Sequence, residues 1–285
     1  MNWIFALNEK SPDNPNGDNY ELMAKVAVHS ASVNAPGLKP HLIWNGADSE
    51  FTEVMRTMGV NVIFHRLSFQ NEIDQAIGRN RGWKHTAKGA FLRLDIPELF
   101  PGLNGQVLYT DVDVVFLGDP SLYTFPVSLF AFSSEFDFED FARINSGVMI
   151  LDLVRAREVF PEFRSWTKRN LSWIPDYDQG AIREYFNGHW DRLDQRMNWK
   201  PYWPISLTPI VTHFHGPKPT DFNPISLAPN FSESEKPVYW QLYSCAKPHY
   251  GRYLKIWLSL AHDFFTTGNG RNNLDSEYVV AKSKP

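Results

Sequence analysis

The sequence predicts an α/β protein with a mixed, mostly parallel sheet flanked by helices, followed by a mainly helical or irregular C-terminal extension. Three observations predict it. Short apolar runs alternate with stretches of helical spacing through the first two-thirds of the chain, the pattern of a parallel sheet with crossover connections. The run Val107-Leu108-Tyr109-Thr110-Asp111-Val112-Asp113-Val114-Val115 is β-branched and apolar apart from its two carboxylates, as expected of a strand covered on both faces. Beyond about Asp221 the alternation stops and proline and aromatic residues take over. The 285 residues fit one large domain, or a domain of roughly 200–250 residues with an appendage. The division expected is a main α/β unit over 1–221 and an extension over 222–285.

Taken in order, Trp3 to Leu7 reads as the first strand, followed by a polar insert from Ser11 to Asp18. Tyr20 to Val33 is a predicted helix, with Leu22, Met23, Val26, Ala27 and Ala31 near helical spacing. His41 to Trp44 and Val60 to Phe64 are strands around a helix from Phe51 to Met58. A helix from Ala87 to Leu99 ends at Pro101-Gly102. After the aspartate strand, Gly118-Asp119-Pro120 is a turn. Strands are expected over Ser128 to Phe132, Gly147 to Leu153 and Ile210 to His215, and helices over Arg155 to Asn170, Asp178 to Phe186 and Tyr253 to Phe265.

A net charge of -4 leaves no broad basic excess to neutralise nucleic-acid phosphates, so no nucleic-acid partner is expected. Arg79, Arg81, Lys84, His85 and Lys88 form a local exception, either a solvated loop or a basic lid over an anionic ligand. Cys245 is the single cysteine, which fits a reducing compartment. The N-terminus lacks the basic start and apolar length of a signal peptide. Tyr253 to Phe265 is interrupted by Lys255, His262 and Asp263 and falls short of the ~20 apolar residues that span a bilayer. A cytoplasmic protein is expected. A peripheral membrane contact is the alternative, because Lys247, Arg252 and Lys255 lie among Tyr250, Tyr253, Trp257 and Leu258 as in an interfacial helix.

The chemistry concentrates in four places. Ionised aspartates at the end of a buried strand need a balancing cation or donors, and the spacing of Asp111 and Asp113 turns both the same way on an extended backbone. Two hard oxygen ligands suit a divalent metal that also binds a phosphate-bearing substrate. His213-Phe214-His215-Gly216-Pro217-Lys218-Pro219 supplies imidazoles for a metal, a glycine for close approach of backbone to ligand, and a lysine for phosphate. Asn145-Ser146-Gly147 ahead of a strand offers hydrogen bonds to a sugar, or is an ordinary turn. Asp178-Gln179-Gly180 holds vicinal hydroxyls, or caps a helix, as does the second D-x-D pair, Asp176-Tyr177-Asp178.

Together these markers resemble the GT-A (Rossmann-like) glycosyltransferases of family 8, over roughly Met1 to Pro219. Phe91-Leu92-Arg93-Leu94-Asp95 adds to the resemblance. It implies a UDP-sugar donor, manganese (with magnesium as the alternative) and transfer of a hexose to an acceptor hydroxyl with retention of configuration; the acceptor is a glycan, glycolipid or protein. Asp111, Val112 and Asp113 match the segment that binds metal and donor ribose, and His213 the third metal ligand, with His215 as the other imidazole. Lys218, behind Gly216, matches a diphosphate-binding lysine, and Arg93 a donor-contacting arginine. Ala6, Leu7 and Asn8 match the uracil-binding segment, and Tyr20 an aromatic residue on the base. Asn145, Asp178 and Gln179 match residues around the donor sugar, with the carbonyl oxygen of Gln179 expected opposite the reacting carbon. The chain departs from the family in having one residue between Gly216 and Lys218 instead of two, and Thr220 where a tryptophan follows. The alternative is a metal-dependent nucleotidyltransferase or phosphoesterase on the same carboxylate and imidazole site.

Overall fold

The structure is a computed structural model that describes residues 1–10, 19–79, 86–203 and 207–267. The polar insert and Arg81, Lys84 and His85 of the basic cluster lie outside the described residues, as does the side chain of Arg79.

The first half is a run of parallel crossovers. Strand β1 (Asn2–Asn8) leads to helix α1 (Tyr20–Asn34), whose Asn19 cap accepts from the Leu22 N–H at 3.0 Å. Then come β2 (Lys39–Asn45), α2 (Glu50–Thr57), β3 (Asn61–Phe64) and α3 (Gln70–Arg79). The predicted helix from Ala87 to Leu99 is broken into α4 (Ala87–Phe91), a 3-10 turn (Leu92–Asp95) and α5 (Ile96–Leu99). The reason is Pro97, which has no N–H for the Arg93 carbonyl; the Ile96 N–H takes that carbonyl instead, tightening the turn.

The aspartate run is not one strand. It divides into β4 (Gln106–Thr110) and β5 (Val114–Phe116), which belong to different sheets, with Asp111 to Asp113 in the bend between them. The chain continues through β6 (Phe130–Ser134), β7 (Ile144–Asp152), α6 (Leu153–Asn170), α7 (Tyr177–Phe186), β8 (Asp191–Arg192) and β9 (Val211–His213). Asn145-Ser146-Gly147 is therefore inside a strand, not ahead of one. The main sheet has the order β3-β2-β1-β4-β7-β6-β8. β3, β2, β1 and β4 are parallel, β7 is antiparallel to both neighbours, and β6 pairs β8 parallel. β5 and β9 form a separate two-stranded antiparallel sheet.

Alternation along the strands builds the two layers. Ile4 and Ala6 of β1, with Val107 and Tyr109 of β4, pack beneath α3, α4, α6 and α7. Trp3, Phe5, Leu7 and Leu108 face the other way, against Ala24, Ala27, Val28 and Ala31 of α1 and Phe51 and Met55 of α2.

The C-terminal segment carries α8 (Pro237–Ser244), which sequence periodicity missed, and α9 (Lys247–Thr266), which starts six residues before the predicted helix. Tyr250, Tyr253, Leu254 and Trp257 of α9 are buried in a cluster with Met23 and Val26 of α1 and with Val115, Trp199 and Phe214. Tyr250, Tyr253 and Trp257, named for the alternative of an interfacial helix, are at most 2% exposed and pack in this cluster instead of facing outward. No helix among the described residues is long and apolar enough to cross a membrane. Replacing Trp257 by Ala is expected to cost about 3–5 kcal/mol. Urea denaturation should then show one transition shifted as a whole, because α9 shares its core with α1.

Candidate active site

Backbone pairing assembles the site from distant parts of the chain. At the end of β4, Thr110 pairs with Val148, and the Asp111 N–H donates to the Gly147 carbonyl at 2.7 Å. In the small sheet, Val114 pairs with His213, and the Phe214 N–H donates to the Asp113 carbonyl at 2.8 Å. The bend between β4 and β5 thus hands one aspartate to each sheet. One ligand atom each from Asp111, Asp113 and His213 lies within 4.8 Å of the others.

This donor set fits a divalent cation: two hard carboxylates and one imidazole suit manganese, and magnesium takes the carboxylates. Gly147 shows how tightly the set is cradled. A Cβ at this residue would sit 2.2 Å from His213 Cε1 and 2.8 Å from Asp111 Oδ2. His215 is not part of the group. Its Nδ1 is 2.8 Å from the Tyr202 hydroxyl and its Nε2 3.6 Å from Glu135. Burial lowers its pKa to about 4, with Glu135 opposing.

Fixed cations surround the carboxylates. Lys218 donates to Asp113 Oδ2 at 2.5 Å and to the Phe214 carbonyl at 3.0 Å. Burial penalises the Asp113 carboxylate, yet Lys218 and His213 hold its pKa far below the usual range. Burial also penalises the Lys218 ammonium, and Asp113 overrides it, raising that pKa well above normal. Lys218 can stand there because Gly216 turns the chain at φ +92, a conformation that disfavours any side chain.

Arg93 is 3% exposed. Its guanidinium donates to Asp111 at 2.8 Å and to the Ser146 carbonyl at 2.5 Å, lies 3.2 Å from Asp178, and covers the Tyr109 ring. The resemblance expects a donor contact from Arg93; the structure spends the guanidinium on positioning both carboxylates. Asp178 is not a helix cap. Its carboxylate is buried, accepts from the Ser146 hydroxyl at 2.8 Å, and has its pKa raised by burial against the pull of Arg93. Asp176 makes no capping bond either; it pairs with Arg183 at 2.6 Å. Asp176 and Tyr177 both adopt left-handed φ, +51 and +55. Such strain costs about 1 kcal/mol or more per non-glycine residue and gathers at functional sites.

Gln179 is placed in the site but turned differently from expectation. Its Oε1 accepts from the Ser146 N–H at 3.0 Å, while its Nε2 donates to Glu135 at 2.7 Å. The carbonyl oxygen is therefore held on β7, and the amide nitrogen faces the Glu135 side. Asn145 belongs to the same group, 3.4 Å from Gln179 Oε1. The β6–β7 register shifts between Phe132 and Ser133, where Ser133 pairs with Asn145, a bulge beside the site.

Ala6, Leu7 and Asn8 end β1. Asn8 and Asn45 are in register at the carboxyl ends of β1 and β2, and the Asn45 amide bridges Asn8 and Gln70 at 2.8 Å each. A cleft of about 630 Å³ opens there, lined among others by Asn8, Asn45, His65, Gln70 and Lys88. Lys88, the described side chain of the basic cluster, is paired with Asp74 at 2.6 Å. Tyr20 opens α1 within electrostatic reach of Lys218. Glu135, Asn198 and Tyr202 were missed by sequence reading, since each sits in a stretch with no motif spacing to single it out.

The fold is GT-A-like, similar to that of solved glycosyltransferases. Among solved structures the chain is similar to the galactosyltransferase LgtC, crystallised with donor and acceptor sugar analogues. The TM-score is 0.63 at 18% identity, over 92% of this chain and 96% of that one. It is also similar to the glycosyltransferase GlyE of Streptococcus pneumoniae, with a TM-score of 0.57 at 15% identity over 94% of this chain and 64% of that one. Mouse xyloside xylosyltransferase 1 gives 0.52 at 14% identity over 75% and 97%. No protein-family model matches the sequence, and no curated protein does.

Proposed function

We propose that the protein is a metal-dependent glycosyltransferase that moves a hexose from a UDP-sugar to an acceptor hydroxyl with retention of configuration. The observation that carries this reading is the Asp111, Asp113 and His213 group beside Lys218, at the carboxyl end of a sheet with a glycosyltransferase fold. Ligands of open α/β sheets bind outside those strand ends. Asp111, Asp113 and His213 would hold manganese, which supplies charge stabilisation to a diphosphate leaving group. The cleft at Asn8, Asn45 and Gln70 offers amide donors and acceptors to a nucleobase.

The chain's own groups then divide the work. Lys218 is a buried ammonium aimed at the metal-side carboxylate, preorganised to meet negative charge as the sugar–phosphate bond breaks. Arg93 fixes Asp111 and Asp178, so neither carboxylate has to be reoriented when the donor arrives. Asp178, Asn145 and Gln179 line the sugar side. In same-face transfer a donor phosphate oxygen accepts the acceptor's proton, and no dedicated protein base is required. α8, which has no buried residue and carries Tyr239, Trp240 and Tyr243, is proposed as the acceptor side of the cleft; its Leu242 stands against Gly216.

A panel of UDP-sugars with manganese, scored by UDP release and thermal shift, tests the reading. One sugar should release UDP, and EDTA should stop the reaction. Pyrophosphate or free phosphate as the product would instead identify a nucleotidyltransferase or phosphoesterase. Gln179→Ala is expected to lower turnover about 100-fold and to change UDP affinity by less than about threefold. Equal losses in both would remove Gln179 from the reacting end.

A further inference from the structure

A directional chain of hydrogen bonds runs from the metal-side imidazole through the sugar-side amides. His213 Nδ1 is 3.0 Å from Asn198 Oδ1. Asn198 Nδ2 donates to Asn145 Oδ1 at 2.9 Å, Asn145 Nδ2 faces Gln179 Oε1 at 3.4 Å, and Gln179 Nε2 donates to Glu135 Oε1 at 2.7 Å. His213, Asn198, Asn145 and Gln179 are all buried, Asn198 completely. Paired buried amides are costly to misorient, so the chain has one low-energy polarity.

Two groups of fixed polarity set that direction. The Ser146 backbone N–H only donates, and it meets Gln179 Oε1 at 3.0 Å. An ionised carboxylate only accepts, and Glu135 meets Gln179 Nε2. With Gln179 fixed, its oxygen faces the Asn145 nitrogen, so the Asn145 oxygen faces the Asn198 nitrogen. The Asn198 oxygen then faces His213, and Nδ1 must carry the proton. His213 Nε2 then faces Asp113, 3.3 Å away; it is the nitrogen free to give its lone pair to a metal, because the proton on Nδ1 is engaged by Asn198. Backbone pairing supports both ends. Trp199 bonds to β9 on either side of Thr212, which sets Asn198 beside His213. Lys200 donates to the Ser134 carbonyl at 2.7 Å, bracing the strand end that presents Glu135.

We propose that Asn198, Asn145 and Glu135 are positioning residues forming one relay, which holds His213 in its metal-binding tautomer and Gln179 in its sugar-side orientation together. The relay rests on the proposed metal-dependent transfer, and it couples the leaving-group end of the site to the sugar end.

Asn198→Asp separates the two ends without changing side-chain size. The aspartate still accepts from His213 Nδ1, but presents an oxygen to the Asn145 oxygen. The full chain carrying Asn198→Asp, Asn198→Ala or Glu135→Gln is titrated with Mn2+ by electron paramagnetic resonance. The His213 tautomer is read from imidazole nitrogen shifts. Wild type should show Nδ1 protonated. Asn198→Ala should lower Mn2+ affinity about 10- to 100-fold, whereas Asn198→Asp should keep it and lose turnover about 10-fold or more. Glu135→Gln should lower kcat similarly with an unchanged KM. A His213 without a proton on Nδ1 in wild type, unchanged Mn2+ affinity in Asn198→Ala, or full turnover in Asn198→Asp would overturn the relay. The tautomer is read without substrate or metal, so loss of the relay is distinguishable from a mistaken assignment of the reaction.

Discussion

Asp113→Asn is expected to lower turnover about 100-fold or more while the protein remains folded. The carboxylate is one of three metal-side groups, and it carries Lys218 on its second oxygen. Losing its charge weakens the metal and leaves the buried Lys218 ammonium without its counterion. Breaking such a buried pair costs about 3–5 kcal/mol; the amide oxygen still accepts one bond from Lys218, so the loss should fall toward the lower figure. Circular dichroism should show native structure with a lowered Tm. The double variant Asp113→Asn with Lys218→Met removes the stranded ammonium, and should recover Tm without recovering turnover. Full turnover in Asp113→Asn with manganese would place the site elsewhere. The pH dependence follows from the depressed Asp113 pKa. The stability contributed by its ionised form is complete above the ordinary carboxylate pKa. It is lost as pH falls through the lower folded-state value, so the wild type and Asp113→Asn should converge in stability on acidification.

Gly147→Ala should be as damaging through geometry alone. Its methyl would occupy the space of His213 Cε1 and press on Asp111 Oδ2. Neither neighbour retreats freely, since His213 is held by Asn198 and Asp111 by Arg93 and the Gly147 carbonyl. Mn2+ affinity is expected to fall about 100-fold, the upper end for disturbed ligand positioning. The sheet should survive, because β4 and β7 pair through Thr110 and Val148 and onward, not through Gly147 alone. Native Mn2+ affinity in this variant would mean that the described cradle is not the metal site.

Most strands and helices, and the two aspartates, were legible in the sequence because they depend on local periodicity and local chemistry; α3, α8 and the two-residue β8 were not. Val107 to Tyr109 can only be a buried strand, and carboxylates at its end demand compensation. The break at Leu92 to Asp95 was legible in principle, since Pro97 stood in the sequence. The division of the aspartate run into two sheets was not. Val114 and Val115 continue the apolar pattern, and only pairing with Val211 to His213 draws them away from the main sheet. Arg93 and Gln179 were found as site residues, but their orientations depend on partners about 53 and 44 residues distant, Ser146 and Glu135.

What the sequence determined by itself was the α/β layering, the carboxylate pair and the glycine-lysine turn that carries Lys218 to Asp113. Backbone periodicity and the cost of a buried charge act over a few residues, so they can be read along a chain. What only the tertiary structure decided was how His213, which the resemblance had named, reaches the aspartates, which groups Arg93 serves, and how Gln179 faces. Those outcomes come from register between strands far apart in sequence. A shift of one residue in β9 would turn His213 away and present a neighbouring side chain to Asp111 and Asp113.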